Sequence, residues 1–287
     1  MLACMVSSPY LWILLVSALS LAASACGSSD DEGDEGKTGG THSSSGGRTG
    51  SGGERASGGS GASSSDPVEP GDDLYGEEHQ GQYHLGPVDF AQTDWFNACN
   101  PEGGYAQSLR EGTGLGGEYL AGVSNSFAQG GGICDSCIAI TTATGRSIVA
   151  RVVTYGATND PGDIDVSPSV YETLDTGEYP REMTWQLAKC PDTGPLTLEF
   201  QTGANEWWTS FWVRNQRVPL ESVEVKSQNH SAYYELRRET DGTLNDDAGF
   251  GAGEFTLRLT AVDGQVITLT FPGFSPGEII VSDENFE

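Results

Sequence analysis

From about residue 83 onward the chain alternates apolar and polar positions in short runs, broken by Gly, Asn and Asp. A period of two sends successive side chains to opposite faces, so each run reads as a strand with one buried side. The clearest early strands are 137–142 (CIAITT), 147–154 (SIVARVVT) and 183–188 (MTWQLA), with Gly145 and Arg146 as a hairpin signal between the first two. Ser167 followed by Pro168 opens a short helix over 167–174, with Ser167 as N-cap and Pro168 at its first position. A mostly β unit with one short helix fits a small barrel. Past Pro191 the runs fall at 196–201, 207–215, 221–226, 232–237, 254–262 and 265–271, with turn signals at Asp241-Gly242 and Asp263-Gly264. Strands so spaced predict an immunoglobulin-like β-sandwich of about 95 residues. The fold class expected is therefore all-β. No long amphipathic helix and no internal repeat is present.

The first quarter follows no such pattern. Residues 27–74 are dominated by Gly, Ser and acidic residues, which bury too little apolar surface to offset chain entropy, so they read as a disordered tether. Before them, 11–25 (LWILLVSALSLAASA) is an apolar run ending at Cys26. It is short for a membrane span and suits a secretion signal, although no Lys or Arg precedes it. Ala23-Ser24-Ala25-Cys26 resembles a bacterial lipobox, which would make Cys26 a lipidated residue and the protein an outer-membrane or cell-surface lipoprotein, touching membrane only through that anchor. The expected division is 1–26 signal, 27–74 tether, 75–191 barrel and 192–287 sandwich.

Export would leave Cys99, Cys134, Cys137 and Cys190, an even set suited to an oxidising compartment. Cys134-Asp135-Ser136-Cys137 has a zinc or redox spacing, yet no second close pair of ligands exists, so two structural disulfides are preferred and no metal is expected. Of the three pairings, Cys99–Cys134 with Cys137–Cys190 is favoured. Net charge is −27; the first 73 residues hold 10 acids and 3 bases, leaving −20 for the folded part. That excludes a phosphate-reading surface and hence nucleic acid, and disfavours acidic wall polymers. A neutral polysaccharide suits it better.

Three of the six tryptophans fall within GANEWWTSFWVRN, residues 203–215. Exposed indoles stack well on the apolar faces of sugars; the alternative is that Trp207 or Trp208 fills the sandwich core. The run 203–225 resembles the second domain of microbial expansin-like proteins, where a Trp-Trp pair before a V-R-N strand begins a cellulose-binding platform. Asp163-Ile164-Asp165-Val166-Ser167-Pro168 is similar to the D-L-S motif of the family's first domain, and Trp185-Gln186-Leu187-Ala188-Lys189-Cys190-Pro191 to the domain junction. The resemblance covers roughly 75–287.

It implies a six-stranded double-psi barrel, shared with family 45 glycoside hydrolases, followed by the sandwich. It assigns Asp165 to the position of the hydrolases' general acid; capping of the 167–174 helix by Asp163 or Asp165 is the plainer role. Glycoside cleavage takes two carboxyl groups, and expansins lack the second; here only Asp89 and Asp94 stand as candidates, better read as solvated turn residues. Trp207, Trp208, Tyr155, Thr154 and Trp212 are the candidate substrate-binding residues. Thr154 and Gly156 replace a family aspartate and tyrosine, His84 stands near a groove threonine and reads as a lone surface histidine, and Asp241 falls where the third platform ring belongs, with Trp212 or Tyr234 as substitutes. Arg214 and Asn215 read as structural, and Arg237 and Arg238 as a solvated edge. The resulting expectation is a monomeric, cofactor-free, non-hydrolytic protein that binds cellulose, hemicellulose or related wall polysaccharide and loosens it. A weak endoglucanase, a peptidoglycan lytic transglycosylase acting through Asp165, and a pure carbohydrate-binding surface protein are the alternatives.

Overall fold

The computed structural model describes residues 66–86, 99, 118–156, 160–175, 177 and 179–287. The signal segment, Cys26, most of the tether, Asp89 and Asp94 lie outside the described residues. Among those described, no helix is long and apolar enough to cross a membrane.

Strands β1 (Leu74–Leu85), β2 (Leu120–Ser124), β3 (Cys137–Thr142), β4 (Ser147–Gly156), β5 (Ile164–Val166) and β6 (Glu182–Ala188) close into a barrel in the order β1-β5-β2-β4-β3-β6. Parallel pairing of β1 with β5 and of β2 with β4 is mixed with antiparallel pairing elsewhere, giving the double-psi barrel. The interior is filled by Ile138, Ile140, Ile148, Val152, Ile164 and Val166, all fully buried, the inward set of the alternation. Residues at the end of the expected tether lie along this barrel. Val68 packs against its core, and the Val68 carbonyl accepts the Val149 N–H at 2.9 Å. The helix α1 (Pro168–Leu174) forms as expected, but Ser167 does not cap it with its side chain. Its hydroxyl instead donates to the Glu118 carbonyl and accepts from the Leu120 N–H, stitching the helix start to β2.

The sandwich stacks β10-β9-β13-β14 on β11-β12-β8-β7-β15, where β7 is Thr197–Phe200, β8 Thr209–Arg214, β9 Leu220–Lys226, β10 Tyr234–Glu235, β11 Arg237–Arg238, β12 Leu244–Asp246, β13 Phe255–Ala261, β14 Val266–Phe271 and β15 Ile279–Val281. Between the sheets lie Phe200, Phe211, Phe250, Phe255 and Leu257. Two expectations change. The single strand 232–237 is two, β10 and β11, because buried Leu236 turns the chain from one sheet to the other. The strand expected at 207–215 starts only at Thr209, which places Trp207 and Trp208 in a turn.

Barrel and sandwich meet through buried charge. The pairing Cys99–Cys134 and Cys137–Cys190 brackets Asp135, whose backbone is left-handed at φ 65°. Asp135 Oδ2 accepts from Arg214 Nη1 at 2.6 Å, and Arg214 Nε reaches Glu199 Oε2 at 2.8 Å. Arg151, fully buried on β4, donates to the Asp135 carbonyl at 2.9 Å and pairs with buried Asp192. Burial pushes the Asp135 carboxyl up, against the pull of Arg214 and Arg151. Gly131 and Gly242 permit the close approach: a Cβ on Gly131 would strike the Glu239 carbonyl, and one on Gly242 would meet Cys134 Cβ at 2.8 Å. Arg238, expected at a solvated edge, donates to the Leu220 carbonyl, and its Nη1 stands beside Gly132 in this junction. The two disulfides fit an oxidising, extracellular compartment.

Removing one member of a buried ion pair strands the other in low dielectric, at a cost of roughly 3–5 kcal/mol. Arg214→Met and Asp135→Ala should each lower stability by about that amount, while the double variant recovers much of the loss. Urea unfolding of the four forms checks this; additive losses would remove the pair from its role as clasp.

Candidate functional site

Four strands bring one row of positions together on the barrel. The register pairs His84 on β1 with Asp165 on β5, Asp165 with Gly122 on β2, and Gly122 with Thr154 on β4. Gly122 contributes no side chain between Asp165 and Thr154. Asp165 is half-buried; burial pushes its carboxyl up, nearby His84 draws it down, and Asp163 pushes it further up. Asp163, two residues upstream and buried, accepts the Gln82 N–H at 2.7 Å and meets His84 Nε2 at 3.1 Å. Asp163 is thus committed to β1 rather than to helix capping, and His84 is half of a pair rather than a lone surface residue. Beside this cluster an open cavity of about 560 Å3 is lined by Gln80, Gln82, Thr141, Thr184, Glu182 and Asp163 among others. Its amide, hydroxyl and carboxylate groups are of the kind that grip sugar hydroxyls.

Thr154 is largely buried, at 5 % exposure. Tyr155 is half-buried against the barrel core, and its hydroxyl donates to the Thr240 carbonyl of the sandwich. That bond spends the tyrosine's polar end on the domain junction, a role its sequence context did not show.

On the sandwich, Asn205 sets the tryptophan turn. Its Oδ1 accepts the N–H of Trp207 at 2.9 Å and of Trp208 at 3.2 Å, and the Asn205 N–H donates to the Trp208 carbonyl. Such an Asx turn removes the strand alternation that would have sent the rings to opposite faces. Trp207 is 69 % exposed, while Trp208 is half-buried, its ring edge 3.6 Å from the place of a Gly203 Cβ. Gly249, at φ +67°, backs the turn so closely that a Cβ there would strike the Glu206 carbonyl.

Trp212 is a correction. It is 2 % exposed, its Nε1 donates to the Asp241 carbonyl at 3.1 Å, and the Arg214 guanidinium covers its ring at 4.8 Å. A ring so enclosed has no face for a ligand, and it packs within the sandwich beneath the arginine that reaches Asp135. Asp241 offers no third ring: its side chain accepts from the Thr243 N–H and hydroxyl, closing the hairpin turn. Cys137, Cys190 and Asp192 cluster closely enough to suggest a metal, but the sulfurs are joined to each other and Asp192 pairs with Arg151. These residues do not fit an ion.

No family model matches the chain. It is similar to Expansin-like protein 6 of Dictyostelium discoideum, 20 % identical over 215 residues that span 70 % of this chain and 72 % of that one. Expansin-YoaJ of Bacillus subtilis is 25 % identical over 112 residues, 39 % of this chain and 47 % of that one. Among solved structures, an expansin of Clavibacter michiganensis in its apo form superposes with TM-score 0.58 at 17 % identity, covering 74 % of this chain and 98 % of its own. An Asp-to-Asn variant of the Clavibacter michiganensis expansin, in complex with cellohexaose, superposes with TM-score 0.60 at 16 % identity over the same shares. In sequence this chain is similar to expansin-like proteins, and in architecture it has the double-psi barrel and sandwich of a bacterial expansin.

Proposed function

We propose that this protein is an expansin-like, non-hydrolytic binder of cellulose or a related wall polysaccharide, which loosens the polymer by disturbing its non-covalent contacts. The observation that carries the reading is Trp207: an indole 69 % exposed on a turn braced by Asn205 and Gly249 has no packing reason to face water. Its rigidity favours stacking, because little freedom is lost when a sugar ring settles on it. The folded part's strong negative charge supports a neutral glycan over pectate-like or nucleic acid partners. A structural relative that holds cellohexaose supports a β-glucan in particular. In this reading Trp207 and Trp208 grip the surface, while Asp165, with His84 and Asp163 beside it, binds a single strand in the barrel.

A second reading rests on Asp165 itself. A carboxyl kept protonated above its usual range is what a general acid requires, so weak glycan cleavage through Asp165 is the competing activity. Export as a lipoprotein anchored through Cys26, to an outer membrane or cell surface, belongs to the same proposal; radiolabelled palmitate incorporated by the parent and lost in Cys26→Ser is the outcome it requires.

Stacking on one aromatic face contributes about 1 kcal/mol. Trp207→Ala should therefore weaken adsorption to cellulose on the order of fivefold, and the Trp207→Ala, Trp208→Ala double variant further; an unchanged isotherm would reject the platform. Asp165→Asn should keep adsorption and abolish loosening, measured as creep or weakening of cellulose paper, with no reducing ends released by either form. If reducing ends are released and vanish in Asp165→Asn, the enzyme reading wins. Its pH profile then has a defined sign: activity needing the protonated carboxyl is full at low pH and falls as pH climbs through the raised Asp165 value, above the ordinary carboxylate range of about 4.

A further inference from the structure

Tyr234 is absent from the family platform, yet it is 48 % exposed and its ring does not hang free. It lies parallel to the His230 imidazole, centroids 4.4 Å apart and planes inclined by 5°. His230 is fixed in turn: its Nε2 meets Asp246 Oδ2 at 2.7 Å, and Asp246 is 2 % exposed. The location matters as much as the rigidity. Asp246 pairs in register with Thr209, the residue that follows Trp208. The intervening loop is bonded at both ends. Asp246 Oδ1 accepts the Ala248 N–H at 3.0 Å, the Asn229 amide donates to the Ala248 and Gly249 carbonyls, and the Gly251 N–H donates to the Glu206 carbonyl at 3.0 Å. The tryptophan turn and the tyrosine pair are therefore tied to one braced end of the sandwich, through β12 and the loop that follows it.

We infer that Tyr234, backed by His230, is a second stacking station for the same glycan, standing in for the ring missing at Asp241. One face of the phenol is taken by His230 and the other is left for a sugar. The imidazole backing holds the ring in a single orientation, so docking a pyranose orders nothing new. The neighbouring Glu235 and Asp247 are both exposed acids, which disfavours an anionic occupant and suits a neutral glycan. The inference rests on the platform reading of Trp207, and the test separates the two.

Adsorption isotherms of the full chain on microcrystalline cellulose, for the parent, Tyr234→Ala, Tyr234→Phe and Trp207→Ala, decide it. Tyr234→Ala should weaken adsorption on the order of fivefold, and Tyr234→Phe, which keeps the ring face, should adsorb like the parent. Parental adsorption by Tyr234→Ala overturns the inference, as does a Phe variant as weak as the Ala variant, since the hydroxyl rather than the face would then be at work. A loss in Trp207→Ala without one in Tyr234→Ala leaves the platform standing and removes only the second station. A loss in Tyr234→Ala without one in Trp207→Ala supports the station and rejects the tryptophan reading.

Discussion

The contact on which the rest of the molecule depends is the ion pair between Asp135 and Arg214. Neither residue is near the other in sequence, and each comes from a different domain. Burying two charges is costly unless the geometry is excellent and the remaining polar atoms are bonded. Here the cost is met by construction. Two disulfides flank Asp135 and hold its loop, Glu199 takes a second edge of the Arg214 guanidinium, and Arg151 secures the Asp135 carbonyl. The left-handed backbone at Asp135 is tolerated because its surroundings over-determine it. Tyr155 to Thr240 then adds a bond across the junction, and Trp212, bonded to Asp241 and covered by Arg214, packs on the sandwich side of it, so two candidate binding residues are taken up by structure.

That expenditure explains which parts of the site were legible in the sequence. Period-two runs located the β3, β4, β6, β9, β13 and β14 strands within a residue or two, because alternation is a local consequence of a strand with one wet face. The Trp207-Trp208 pair was equally visible, as a composition too unusual for a loop. What failed were inferences about faces and partners. Trp212 looked like a platform residue because its number placed it near the others, but a ring's exposure depends on what packs over it, and Arg214 does so only after folding. Asn205 held the decisive turn signal, but a run read from 207 counts both indoles as strand, two residues before the strand starts. His84 and Asp163 sit 79 residues apart, so no local pattern could pair them.

The CxxC spacing is instructive in the same way. In isolation it offers metal binding, redox chemistry or structure, and sequence arithmetic only disfavours the first. In the fold each cysteine leaves the motif to find a distant partner, and the residue that matters is the aspartate between them. A short motif here is a device for presenting one charge at a fixed place. Its family resemblance would not have revealed this, since resemblance transfers positions and not the burden each position carries.

The barrel cluster poses the sharpest physical question. Asp165 on β5 and Asp163 just before that strand stand two residues apart, next to His84, in a protein whose net charge already works against further ionisation. The two carboxyls differ in how they are held. Asp163 accepts a backbone N–H from β1 and faces the His84 imidazole. Burial, with Asp163 beside it, pushes the Asp165 carboxyl up, against the pull of His84. Both groups belong to one short stretch of chain at the start of β5, and cleavage needs two carboxyls that flank the scissile bond. A pair on one side of a glycan can hold a chain through its hydroxyls, while cleavage would call for a further carboxyl on the opposite face of the sugar.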